Sequence, residues 1–123
     1  MATLNDRVLD NGLTVLDTEA NKIVITSQAA TTYTEANATY ALGNSTSLSI
    51  AAPTDRAGGG REVIVAAITD GSVTSTGTAS HYAIIDTANT RLLAVSTLAV
   101  SQAVTSGNTF TLSSVSIGIP DPV

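Results

Sequence analysis

From residue 22 onward the sequence is a succession of short apolar or alternating runs, each closed by a turn signal of Gly, Asn, Asp, Ser or Pro. Strands at this spacing leave little room for the helical crossovers that a parallel β-α-β sheet requires. The chain therefore reads as mainly β: an antiparallel β-sandwich or jelly-roll-like barrel. Lys22-Ile23-Val24-Ile25-Thr26 is a compact β-branched strand. Thr46, Leu48, Ile50 and Ala52 share one phase of a period-two pattern, with Ser45, Ser47, Ser49 and Ala51 on the other, as in a half-exposed strand. Residues 53–60, with Pro53 and three consecutive glycines, form a loop before the more apolar run at 63–68. Asp70-Gly71 is a dipeptide suited to positive backbone φ, which predicts a hairpin between its flanking strands.

Alternation from Val73 runs into Tyr82-Ala83-Ile84-Ile85, residues 86–90 are a polar connection, 91–95 form another strand, and Ser106-Gly107-Asn108 is a tight turn. In the last strand Phe110 and Leu112 occupy one phase, and Val115, Ile117 and Ile119 the other. One sheet face holds all five only if a residue is inserted, so a β-bulge is expected near Ser113-Ser114. Pro120 and Pro122 then end strand pairing.

The beginning of the chain follows a different rhythm. Leu4, Val8, Leu9, Leu13, Val15 and Leu16 trace a loose helical stripe, and Thr3-x-x-Asp6 resembles a capping box with Asp in the place of Glu. A short N-terminal helix is expected over 3–16, weakened by about 1 kcal/mol at Gly12, with a break near Asn11-Gly12. Residues 28–41 read as loop with a helical turn around Tyr33-Thr34-Glu35-Ala36. The expected organisation is a single domain: an N-terminal helix or arm over 1–17, a β-sandwich over 22–119 and a tail over 120–123.

Composition removes several classes of function. There is no cysteine, so disulfide scaffolds, thiol catalysis and Cys-based zinc sites are excluded. The longest apolar run, residues 63–68, is far short of a membrane-spanning helix, and the start lacks the basic-then-apolar pattern of a cleaved signal peptide. Five scattered basic residues against ten acidic ones, a net charge of -5, argue against nucleic acid as a partner. The aromatic residues Tyr33, Tyr40, Tyr82 and Phe110 are too few for base or sugar stacking. With 43% hydrophobic and 12% charged residues the chain folds, but around a core of small aliphatic side chains. Burial against other subunits or a larger partner offsets that deficit.

Candidate chemistry is sparse. His81, the single histidine, could serve as base for Ser80 or Ser96, but no Gly-x-Ser-x-Gly elbow accompanies it, and a hydrogen-bonded strand-end histidine is the expected role. Its combination with Asp86 or Asp70 does not complete a metal shell, and Asp17-Thr18-Glu19 reads as a helix exit, not a calcium loop. The loop from Asp55 to Glu62 joins glycines with Arg56 and Arg61 at a spacing that matches neither phosphate-binding fingerprint. Its arginines are expected to pair with Asp55 and Glu62, or with carboxylates of another subunit. No cofactor is expected.

The stretches Leu4-Asn5-Asp6, Thr32-Tyr33-Thr34-Glu35-Ala36, Leu42-Gly43-Asn44, Gly77-Thr78-Ala79-Ser80-His81 and 102–110, ending in Ile117-Gly118-Ile119-Pro120-Asp121-Pro122, resemble small virion proteins of tailed bacteriophages. The similarity is to head decoration, or capsid cement, proteins. It implies a β-sandwich or jelly-roll subunit, a homotrimer, made in the bacterial host cytoplasm and seated on the outer capsid surface, where it bridges major capsid protein subunits. No enzymatic step is expected. Thr3, Leu4, Arg7, Arg56 and Arg61 are the candidate capsid or subunit contacts. The alternatives are a tail fibre or baseplate receptor-binding module, and a hydrolase of surface polymer acting through His81 and a carboxylate.

Overall fold

The β-branched run at the start of the β region forms strand β2 (Lys22–Thr26), buried from Ile23 onward. In the computed structural model, which describes residues 3–4, 12–55, 57 and 61–119, β2 pairs antiparallel with β3 (Ala41–Ser45) on one side and β7 (Gly77–Asp86) on the other. These strands lie at the centre of a seven-stranded sheet of order β1-β8-β7-β2-β3-β6-β9. Its remaining members are β1 (Thr3–Leu4), β6 (Ile68–Val73), β8 (Arg91–Val104) and β9 (Thr109–Leu112). A second sheet, β10-β5-β4, contains β4 (Thr54–Asp55), β5 (Arg61–Val65) and β10 (Val115–Ile119). All pairings are antiparallel, giving the mainly β sandwich-like architecture expected from the turn spacing.

The continuous apolar character of β2 has a direct cause, because both faces of the larger sheet are covered. On one face Ile23, Ile25, Tyr82, Ile84 and Leu93 pack with Val63 and Val65 of β5, Phe110 and Leu112 of β9, and Leu13, Val15 and Leu16. On the other, Val24, Ala83, Ile85 and Val95 pack beneath Ala30 and Ala36. Ala36 belongs to a wide helical turn, Glu35–Thr39, which realises the turn expected around residue 35.

The N-terminal region departs from the expected helix. Thr3 and Leu4 are extended and pair with Val95 and Ala94 of β8, while the helix α1 lies later, at Thr14–Glu19. Gly12, at φ 73°, stands in the left-handed region that an α-helix does not admit, so the helix starts after it. Asp6 lies outside the described residues, and α1 begins at Leu13 without a side-chain cap. Burial holds it instead, with Leu16 fully enclosed, and Arg91 Nη1 meets Glu19 Oε1 at 3.3 Å.

Three strand expectations are corrected. Asp70-Gly71 is no hairpin turn: both residues lie inside β6, which pairs with β3 and β9. The glycine serves close packing, since a β-carbon there would stand 2.2 Å from Phe110 Cε2. Residues 46–52 do not form the alternating strand; only a bridge from Ile50 to Val65 and two neighbouring backbone bonds tie this segment to β5. The strand forms just before it, at Ala41–Ser45. Finally, the phase change at Ser113-Ser114 is a crossing between sheets, not a bulge. Phe110 and Leu112 enter the core from the larger sheet, whereas Val115, Ile117 and Ile119 pack against it from the smaller one.

Two turns match their sequence signals. Gly107 has φ 92° in the turn between β8 and β9, and residues 87–90 connect β7 to β8. The strand expected at 91–95 extends much further, to Val104. Pro120 and Pro122 lie outside the described residues.

Candidate functional site

The candidate contact residues fall in two places. The backbone of Thr3 and Leu4 forms β1, the end strand of the larger sheet against β8. Arg61 is the first residue of β5 in the smaller sheet; it is exposed, and its Nη2 donates to the Pro53 carbonyl at 3.0 Å. That bond holds the returning segment before β4 against β5. Next to it, the Ser116 hydroxyl donates to Glu62 Oε2 across the β5–β10 pair. Arg7 and Arg56 lie outside the described residues, so the fold does not bring the five candidates into one described cluster.

Ser80 and His81 do meet. Ser80 Oγ lies 2.7 Å from His81 Nδ1 and donates to the Ser27 carbonyl at 2.9 Å. A hydroxyl has one proton. The two contacts share that proton: the tautomer with Nδ1 protonated donates to Ser80 and leaves the hydroxyl proton to the Ser27 carbonyl, and the other tautomer accepts from Ser80. Ser96, the other candidate nucleophile, lies opposite Tyr82 and hydrogen-bonds with it. Burial pushes the Tyr82 phenol pKa up, and the Ser96 bond offsets part of that rise.

The carboxylates named as metal partners of His81 are engaged separately. Asp70 accepts from the Ser47 hydroxyl at 2.9 Å and from Ser45 at 3.4 Å, which fastens the segment after β3 to β6. Asp86 is buried and accepts three bonds within its own turn, from Ala88 N at 3.0 Å, Asn89 N at 3.3 Å and Asn89 Nδ2 at 2.8 Å. Burial raises its pKa, but the Asn89 and Ala88 bonds and the Arg91 charge outweigh this and hold it below the usual value. Among the described residues, no three His, Asp or Glu side chains converge as a metal shell.

What covers much of the surface is hydroxyl. Ser72, Thr74, Thr78, Thr97, Ser101, Thr109, Thr111 and Ser116 are all exposed. Neutral hydroxyls can be covered by another protein without stripping water from full charges. No helix among the described residues is long and apolar enough to cross a membrane. A scan against protein-family models, a search of curated proteins and a search of solved structures each returned no match.

Proposed function

We propose that this protein is a virion structural protein, a decoration or cement subunit on the outer surface of a tailed-bacteriophage head. It binds as a homotrimer and bridges neighbouring major capsid protein subunits. The sequence resemblance to head decoration proteins supports this reading. The observation that supports the reading is the set of exposed Ser and Thr side chains on the strands of both sheets, a surface suited to being covered.

The mechanism is interface burial with no covalent step. One standard interface of about 1,600 Å² stabilises a single contact. Repeated around a closed shell, such contacts act together, because loss of one leaves the others holding the subunit at high effective concentration. Rupture of the shell then requires many contacts to fail. Nucleic acid and membrane have no part in this action, and the protein, made in the host cytoplasm, joins the assembled head from outside.

Labelling the protein on purified particles tests the placement. Signal distributed over the head is expected. Signal confined to the tail overturns the reading in favour of a fibre or baseplate receptor-binding module.

A further inference from the structure

Strand β8 spans 14 residues, and its two halves have different surroundings. Its first half pairs with β7 and, at Ala94 and Val95, with β1. After Thr97 the register with β7 resumes only at Gln102, so residues 98–101 have no register partner and lie opposite Ser80 alone. On the outer side of β8, no described strand pairs with residues 96–104. The sheet instead curls until β8 approaches β9, the strand at the far end of the order, and Gln102 Nε2 reaches across to the Thr111 carbonyl at 3.2 Å. A cavity of about 230 Å³ lies at this seam, with Ile68, Leu98, Leu112 and Val115 in its wall. Val100 borders it and is 75% exposed.

The charge pattern indicates what covers the seam. Residues 92–119 contain no Asp, Glu, Lys, Arg or His, so β9, β10 and all of β8 after Arg91 are free of charge. The chain carries a net charge of -5, and all ten acidic residues lie elsewhere in it. Two copies that approach through those parts set carboxylates against each other, which disfavours the contact. Through the seam they meet on β8 and β9, strands that carry no charged side chain after Arg91. A basic partner, by contrast, is drawn to the acidic parts of the molecule and away from this face. The seam also offers what an added strand needs: backbone without a ladder partner among the described strands, beside an apolar pocket.

We infer that the seam between β8 and β9, centred on Val100, is the face through which copies of this chain contact one another. This rests on the homo-oligomer of the proposed function and assigns its interface. Replacing Val100 by Asp introduces a carboxylate into that contact at a site too exposed to disturb the core. Thr34→Asp, on the exposed segment covering the opposite face of the larger sheet, is the control.

The test is sedimentation of the full chain and both variants over a concentration series, with amide hydrogen exchange of the wild-type chain at high and low concentration. The wild type and Thr34→Asp are expected to sediment as oligomers. Val100→Asp is expected to weaken association by about tenfold or more, with its melting cooperativity retained. Amides of residues 98–101 should gain protection as the oligomer forms. A wild type that stays monomeric, a Val100→Asp variant that associates as the wild type does, or amides 98–101 that exchange equally at both concentrations each overturn the assignment. An oligomer that Val100→Asp dissociates but that ignores phage shells contradicts the proposed function and leaves this interface standing.

Discussion

Gly71 lies against the ring of Phe110, its register partner on β9, so closely that a β-carbon on Gly71 would stand 2.2 Å from Cε2 and 2.3 Å from Cζ. Neither the buried ring nor the strand backbone can retreat without moving the sheet. Gly71→Ala is therefore expected to destabilise the fold by about 1–3 kcal/mol, the cost of overpacking a core. Phe110→Leu removes the obstructing ring atoms, so the double variant should lose less than the sum of the two single losses. Urea unfolding of the four proteins measures this. Additive losses would contradict the contact.

Acid should weaken the protein through Asp86. Its folded pKa lies below the ordinary value of about 3.9, so the stability it contributes is fully present above that value and is lost as pH falls through the folded pKa. Glu35, whose pKa is lowered chiefly by the Thr31 hydroxyl and then by the Thr31 amide, acts with the same sign. Stability is expected to be flat above about pH 5 and to fall below about pH 4. Asp86→Ala leaves the turn donors of Ala88 and Asn89 without their acceptor and should cost about 1–3 kcal/mol at neutral pH. Denaturant melts at pH 7 and pH 3 check both statements, and the variant should show a smaller acid loss than the wild type.

Helix α1 has no side-chain cap and only six residues, so its stability comes from burial. Leu16→Ala is expected to cost about 2–5 kcal/mol, as for other fully enclosed leucines. Thr18→Ala, which removes an exposed bond from Thr18 Oγ1 to the Thr14 carbonyl, should change stability by less than about 0.5 kcal/mol. Comparison of the two midpoints in urea tests whether packing or local hydrogen bonding holds the helix.

The crossing at Ser113-Ser114 makes a prediction about insertions. One extra glycine between these two exposed residues lengthens a connection and is expected to cost less than about 1 kcal/mol. The same glycine placed between Ile117 and Gly118 turns Ile119 away from the core and should cost more. Thermal midpoints rank the two insertions, and equal losses would contradict the sheet-to-sheet crossing.

Much of the fold was legible where the residue chemistry had a single use. The β-branched run of β2 has no comfortable place other than a buried strand, and Gly107 in Ser106-Gly107-Asn108 marks a turn at positive φ. Ambiguity entered where one residue type serves two purposes. Gly71 after Asp70 reads as a turn but provides room for Phe110, a partner nearly forty positions away. Thr3-x-x-Asp6 suggests a cap, yet the long-range partner β8 draws Thr3 and Leu4 into a sheet. Of the candidate contacts, Arg61 and the β1 backbone can be placed at sheet positions, but the seam beside Val100 was not legible. Leu98-Ala99-Val100 looks like any core strand until the missing register partners are seen.

Mixing the purified protein with phage heads stripped of accessory proteins, then measuring co-sedimentation and the temperature at which the heads rupture, tests the central claim most directly. Saturable binding to the heads with a higher rupture temperature is the predicted result. Protein that remains in the supernatant, or binds without any change in rupture temperature, would contradict the account.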